Sequence, residues 1–568
     1  LAHAIHETDL GDQFMREISR REFLRAVGGI AIAAGGTAVV AGCAPLQSFG
    51  GAAAAPIVTL PPQTNFSPDV EISMRAVVGQ TQILPGLPTQ VWKYEAELIQ
   101  GAADSLQPLE NTYLGPLIRV RPGQKVRIHF RNDLPEPTIV HWHGLILPER
   151  MDGHPRDVVA TGESYLYEFE VLNRPGMYWY HPHPDMLTGS QVMHGLAGLF
   201  LVTDDAEAAL LPTGAQDIPI VLQDRTFDSD NQFVYLQGGA MGGGAMGGMP
   251  GMEMMMGFLG DQVLVNGAPN TVLPLATRAY RLRLLNGSNS RVYKLGWESG
   301  APVVVLGTDG GLLERPVERP YVMLGPGQRV ELWADFSDLA AGDEVTLQSL
   351  AFVGAEGDSL MAGGMGGMGG MGGMGGMMGY NPQLPNGAPF SILKVRIERQ
   401  EDETLTLPTA FAPIPRYRLE DAVNGDAPRR FALTMRNMRW QINGRSFEME
   451  AVAPDEIVQV GTLEAWEFVN EQNPGQMMEA MGMVHPMHVH GVQFQVQERT
   501  VISPELKAGW DSVHEGYVDD GWMDTVLVMP GEQVRVLMRF IERGLFVYHC
   551  HNLEHEDMGM MRNYRAEA

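Results

Sequence analysis

The chain has 568 residues and 44% hydrophobic content, enough for about two to four domains with substantial cores, which excludes a disordered protein. Asp and Glu number 68 against 40 Lys and Arg, and the formal charge of −28 repels nucleic acid and anionic lipid, so no nucleic-acid partner is expected. Two cysteines, Cys43 and Cys550, make no disulfide framework and leave Cys550 to act as a thiol.

In chain order the first signal is Ser19-Arg20-Arg21-Glu22-Phe23-Leu24, which resembles the twin-arginine export motif. It precedes Ala26–Val40, an apolar Gly/Ala-rich run too short for an ordinary transmembrane helix. Val40-Ala41-Gly42-Cys43 resembles a bacterial lipobox, which would make Cys43 a lipid anchor, with simple cleavage nearby as the alternative. Glu7, Asp9, Asp12 and Glu17 depart from the usual basic character of such a segment. The expectation is an export segment over residues 1–45 and a periplasmic or cell-surface protein, carried out folded with its cofactor.

Three stretches then repeat one another: Arg121-Pro122-Gly123-Gln124-Lys125, Gly325-Pro326-Gly327-Gln328-Arg329 and Met529-Pro530-Gly531-Glu532-Gln533. Each is a Pro-Gly turn entering an alternating strand, and the three are evenly spaced, as copies of one β-domain would be. Short alternating runs such as Lys125–Phe130, Leu166–Val171, Tyr280–Leu285 and Arg535–Phe540 favour antiparallel sandwiches over helical or βαβ architecture. The expected fold is all-β with three sandwiches, over residues 70–205, 206–395 and 396–568. Two Gly/Met-rich insertions fall in the second, over 238–257 and 361–378. Neither looks able to pack a core, and both are expected as exposed loops. A flexible linker needs no methionine, however, and soft thioethers bind Cu(I).

Ten of the sixteen histidines fall into four short clusters, which sets aside the reading of each as an isolated core residue. They are His141-Trp142-His143, His181-Pro182-His183, His485-Pro486-Met487-His488-Val489-His490 and His549-Cys550-His551 with His555. In a strand, His549 and His551 project to one face and Cys550 to the other, so one segment serves two sites. Cys550, His555 and Met560 supply a thiolate, an imidazole and a weak axial thioether, a blue-copper set once a second His arrives from elsewhere. The remaining H-x-H pairs, meeting at one interface, would form a cage of eight imidazoles, enough for three ions.

With these motifs, including the H-C-H-x3-H-x4-M ending, the chain after its export segment resembles the multicopper oxidases. The resemblance implies three cupredoxin-like Greek-key domains and four copper ions. It implies type 1 copper on His485, Cys550, His555 and weakly Met560, with His485 nearest solvent. Type 2 copper would take His141 and His488, one type 3 copper His143, His181 and His551, and the other His183, His490 and His549. Electrons would pass from Cys550 to His549 and His551, four of them reducing O2 to water, and Asp152 and Glu556 match family acids that relay protons. Asp524 lies in a family motif near type 1 copper with no specific role evident.

The electron donor is the open question. Met477-Met478-Glu479-Ala480-Met481-Gly482-Met483 runs just before His485. Copper-efflux oxidases carry Met and Asp ligands for substrate Cu(I) there; Met483 matches, but Met481 stands where an acid is expected, leaving Glu479 as the nearby acid. Buried gap-filling methionines are the plain alternative. Two oxidase assignments compete, a cuprous oxidase of copper tolerance and a laccase-type phenol oxidase, with Cu(I) favoured as donor. A third, a non-catalytic scaffold such as a cell-division protein, is disfavoured because its members lack the cysteine and several histidines that stand here. A monomer is expected.

Overall fold

The computed structural model describes residues 65–236, 252–355, 382–437, 439–471 and 482–568. The export segment with Cys43, residues 238–251 of the first insertion, all of 361–378, and Glu479 and Met481 lie outside the described residues.

Among the described residues the strands assemble into six sheets. Val70–Thr81, Thr89–Gln100, Lys125–Asn132 and Ser164–Glu170 form one sheet, and Leu106–Gln107, Leu117–Val120, Val140–His143, Gly176–Pro182 and Gly198–Val202 form the next. Alternation buries Val70, Ile72, Met74 and Ala76 against Trp142, Tyr178 and Phe200 of the other sheet. A seven-stranded sheet containing Asp217–Arg225, Ala279–Asn286 and Arg329–Asp335 likewise shares a core with a five-stranded one that includes Phe390–Arg399. That last strand crosses residue 395, since its apolar alternation continues through Val395 and Ile397. The final two sheets, five strands each, hold Leu463–Val469 and Glu532–Arg539 in one and His485–Val489, Gly544–Cys550 and Met561–Glu567 in the other.

The same connectivity recurs three times. Val70 pairs in parallel with Val126, Asp217 with Arg281 and Arg429 with Trp466, so each sandwich closes on a parallel pair amid antiparallel neighbours. The fold is all-β, three cupredoxin-like sandwiches. The Pro-Gly turns are superposable in their chemistry: Gly123, Gly327 and Gly531 have φ of 79°, 82° and 75°, a region open to glycine. In each, the next side chain reaches back to the amide before the proline: Gln124 accepts from Arg121, Gln328 from Gly325 and Glu532 from Met529, all at 2.8 Å.

Strand pairing then delivers the histidines. His141 lies directly opposite His181 in the first sandwich, and His488 opposite His549 in the third. Directly opposed residues on one sheet face are about 5 Å apart. One residue further on, Cys550 lies opposite Met487 and enters the core of the third sandwich.

Candidate metal centre

The H-x-H strands of the first and third sandwiches interleave. The His141 ring stacks on His490 and the His143 ring on His488, each at 3.7 Å between centroids. With His181, His183, His549 and His551 these make a cage of eight buried imidazoles. Burial, reinforced by neighbouring rings, depresses the basicity of seven of them: His181 is lowered to about 3 and His183 to about 4, and His141, His143, His488, His490 and His551 fall well below 6.5. Those seven rings are therefore neutral at working pH, the form that binds metal.

Tautomers follow from the outer hydrogen bonds. His141 Nδ1 donates to the Asp152 carbonyl and His488 Nδ1 to the Asp524 carbonyl, both at 2.7 Å, so their Nε2 lone pairs face each other at 3.4 Å. His490 Nδ1 donates to Asp152 Oδ2 at 2.8 Å and His549 Nδ1 to the Cys550 carbonyl at 3.1 Å, leaving two Nε2 lone pairs only 3.1 Å apart. His143 donates from Nε2 to Asp524 Oδ1 at 3.0 Å and His181 from Nδ1 to the Pro182 carbonyl at 2.9 Å, so His143 Nδ1 and His181 Nε2 oppose each other at 3.4 Å. Neither ring nitrogen of His551 has a hydrogen-bond partner, and its ring packs 4.9 Å from His143 and 5.2 Å from His181. Acceptors converging without a proton between them repel; a cation resolves the conflict, and borderline imidazole nitrogens suit copper.

The second cluster is built by one turn of chain. Asn552 caps the short helix Leu553–Asp557, its side chain accepting from the His555 amide, which swings His555 back over Cys550. Met560 donates its amide to the His555 carbonyl and accepts from the Cys550 amide, closing the loop. Cys550 Sγ lies 3.4 Å from His485 Nδ1 and 3.7 Å from His555 Nδ1, and the two nitrogens are 3.3 Å apart. Met560 is fully buried in the same core. Burial pushes the Cys550 thiol up and lowers His485 to about 3, so a metal that stabilises thiolate would be bound against that penalty.

These two sets bring the four histidine clusters and Cys550 together as buried groups that could hold metal ions. Two different multicopper oxidase family models match, one over residues 91–207 and the other over 422–568. McoA multicopper oxidase from the hyperthermophile Aquifex aeolicus is 31% identical, with a TM-score of 0.69 over 89% of this chain and 97% of its own. The chain belongs to the multicopper oxidases. This oxidase is also 29% identical to a laccase of Bacillus stratosphericus, over 90% of this chain and 96% of that one. It is 26% identical to the cell division protein FtsP of Escherichia coli, over 95% and 97%. Like its family, it binds copper and couples a reducing substrate to O2.

Three expectations change on contact with the structure. His485, expected nearest solvent, is fully buried, with the Trp440 ring 4.7 Å away. The end of the first insertion is no exposed loop: Met252–Met256 is helical, and Met255 and Met256 are buried in the third sandwich's core with Cys550 and Met560. Its packing is directional, since the Met255 carbonyl accepts from both His555 Nε2 and Trp440 Nε1 at 3.0 Å, which leaves His555 Nδ1 free for metal. Met483, expected beside substrate Cu(I), is 1% exposed and packs in that same core, so its thioether does not stand on a surface. Unbranched Met filling an irregular gap is the physical reason.

The acids separate. Burial holds the Asp152 carboxyl well above its usual range, and its Oδ1 has no hydrogen-bond partner. Burial would also raise Glu556, but the His183 and His549 rings beside it, with Oε2 3.0 Å from His549 Nδ1, hold it below the carboxylate range. The sequence missed the ion-paired group behind the cage: Asp524, Asp309 and Arg329 are all buried, with Arg329 Nη2 2.5 Å from Asp524 Oδ2.

Proposed function

We propose that this multicopper oxidase holds four copper ions and reduces O2 to water, drawing electrons singly from Cu(I). His485, Cys550, His555 and Met560 would hold type 1 copper, and His141 and His488 type 2. His143, His181 and His551 are assigned to one type 3 copper and His183, His490 and His549 to the other. The observation that carries the assignment is the convergence of imidazole lone pairs at 3.1–3.4 Å in the cage. Copper in these sites would supply one-electron oxidation at the Cys550 site and four-electron reduction of O2 at the cage.

The chain's own part is to connect and to supply protons. Cys550 is bonded on either side to His549 and His551, so the two sites share three consecutive residues. Asp152 Oδ1, unpartnered beside His141 and His490, is placed to hold a proton and pass it into the cage, and Glu556 stands by His183 and His549 as an acceptor. Retention of every ligand disfavours a scaffold role despite the likeness to FtsP.

The donor assignment rests on the methionines. Met255, Met256, Met483 and Met560 share the core around Cys550, and the first two belong to the end of the first Gly/Met insertion. The likeness to a laccase favours the second assignment, a phenol oxidase. The twin-arginine and lipobox motifs support action outside the cytoplasm with Cys43 as anchor, and the chain is proposed to work as a monomer. Deletion of 238–250 and 361–378, sparing Met252–Met256, separates the two donors. For a Cu(I) donor, kcat/KM for Cu(I) should fall about 10-fold with phenol turnover unchanged, whereas equal effects on both would refute it.

A further inference from the structure

The second sandwich offers no histidine to either site, yet its Pro-Gly turn reaches the cage. A Cβ on Gly327 would lie 3.0 Å from His143 Cε1 and from His551 Cγ and Cδ2, and Gln328 Nε2 donates to the Thr525 carbonyl at 2.9 Å. The residue that follows sets this copy of the turn apart. Lys125, in the first sandwich, is exposed, and Gln533, in the third, is partly exposed, whereas Arg329 is 2% exposed over the whole residue, with its side chain inside.

Every arm of Arg329 is used. Its amide donates to Asp309 Oδ1 at 2.7 Å, Nε to the Met177 carbonyl at 3.0 Å, and Nη1 to the Gly327 carbonyl at 2.9 Å. Nη1 and Nη2 together grip the Asp524 carboxylate at 2.7 and 2.5 Å, and Nη2 also reaches the Asp309 carbonyl at 3.1 Å. Asp309 Oδ2 accepts the Asp524 and Thr525 amides at 3.2 Å, pinning the backbone as the guanidinium pins the side chain. Asp524 so held turns one oxygen to His143 Nε2 and its carbonyl to His488 Nδ1.

We propose that Arg329 is a positioning residue of the oxygen-reducing cage: by gripping Asp524 it fixes the ring orientation and tautomer of His143 and His488, and thereby retains the copper between His488 and His141. A planar guanidinium matches a carboxylate with two parallel bonds, which an ammonium cannot do. Outer partners of this kind hold ligand rings in the tautomer that presents a lone pair to the metal. The proposal deepens the ligand assignment made above and rests on it.

The test is copper-loaded full-length protein carrying Arg329→Gln, Arg329→Lys or, as control, Lys125→Gln at the equivalent turn. Copper per chain, the type 2 paramagnetic resonance signal relative to type 1, the blue absorbance and the melting temperature of the copper-free protein are measured on each. Arg329→Gln should lose type 2 copper, with affinity reduced about 10–100-fold, while the blue absorbance stays. Arg329→Lys should fall between that variant and wild type, and Lys125→Gln should match wild type. Type 2 copper at wild-type affinity in Arg329→Gln overturns the proposal. So does loss of type 1 and type 2 copper together in proportion to lowered melting temperature. If Arg329→Gln does not fold, a Lys variant with an undiminished type 2 to type 1 ratio overturns it equally. A wild-type protein without a type 2 signal would instead refute the ligand assignment.

Discussion

Gly327→Ala and Gly123→Ala place the same methyl group at the same turn with opposite surroundings. Both glycines have nearly the same positive φ, 82° and 79°, so the backbone cost of an alanine there, roughly 1–2 kcal/mol, is common to the two. Around Gly123 the new Cβ meets nothing within 4 Å; at Gly327 it meets three ring atoms of His143 and His551 at 3.0 Å. Ordinary carbon contacts lie near 3.5–4.0 Å, so those rings must move by about 0.5–1 Å. A metal constellation tolerates about 0.5 Å before it loosens. Both variants should therefore lower the melting temperature of the copper-free protein by about 2–8 °C. Only Gly327→Ala should also bind cage copper about 10–100-fold more weakly and reduce O2 correspondingly slowly. Copper stoichiometry after dialysis against a graded chelator, with O2 consumption on the same samples, reads this out. Equal copper retention by the two variants would refute the placement of the second sandwich's turn against the cage.

Cys550→Ser should abolish the blue absorbance and cut turnover by at least about 10³-fold while the eight cage imidazoles keep their copper, which metal analysis with absorbance checks. Asp152→Ala leaves His490 Nδ1 without its acceptor; copper binding at the cage should weaken about 10–100-fold with the blue absorbance intact, as titration with Cu(II) would measure. Far from the copper, Asp217 meets Arg283 at 2.6 and 3.0 Å, and although burial acts to raise its pKa, Arg283 holds it below 3.8. Asp217→Asn should cost roughly 3 kcal/mol at neutral pH, since Arg283 keeps only Glu331. Because the folded pKa is depressed, that stabilisation is present above the unfolded value and lost as pH falls through the folded one. The gap in melting temperature should be level from about pH 7 to 5 and close below about pH 4.

The residues that carried fold and site in the sequence are those whose meaning is local. Alternation, Pro-Gly punctuation and H-x-H spacing each depend on the two-residue repeat of a strand, and the structure keeps them: Lys125–Asn132 contains the run read as Lys125–Phe130, and His141 and His488 sit on strands as spaced. Only the end of the first Gly/Met insertion, Met252–Met256, departs from the expected exposed loop, because composition describes what a segment could do alone. Met255 and Met256 are ordered by a partner surface, the apolar core around Cys550, and by donors from His555 and Trp440 some hundreds of residues away.

Arg329 and Asp309, and the place of Asp524 behind the cage rather than near type 1 copper, were illegible for a related reason. Lys125, Arg329 and Gln533 occupy one position of a repeated turn, and nothing in the turn itself says that one of the three faces inward. What turns Arg329 inward is a pair of carboxylates, Asp309 in the turn after Val303–Thr308 and Asp524 just before Thr525–Val528, each too costly to bury alone and both satisfied by one guanidinium. Breaking that group by removing Arg329 would leave two carboxylates buried without their cation, so the energy that holds Asp524 in place is also what makes its orientation hard to alter. A domain that donates no ligand can in this way set the geometry of a site it borders, and the turn it shares with its two neighbours is the element it uses to do so.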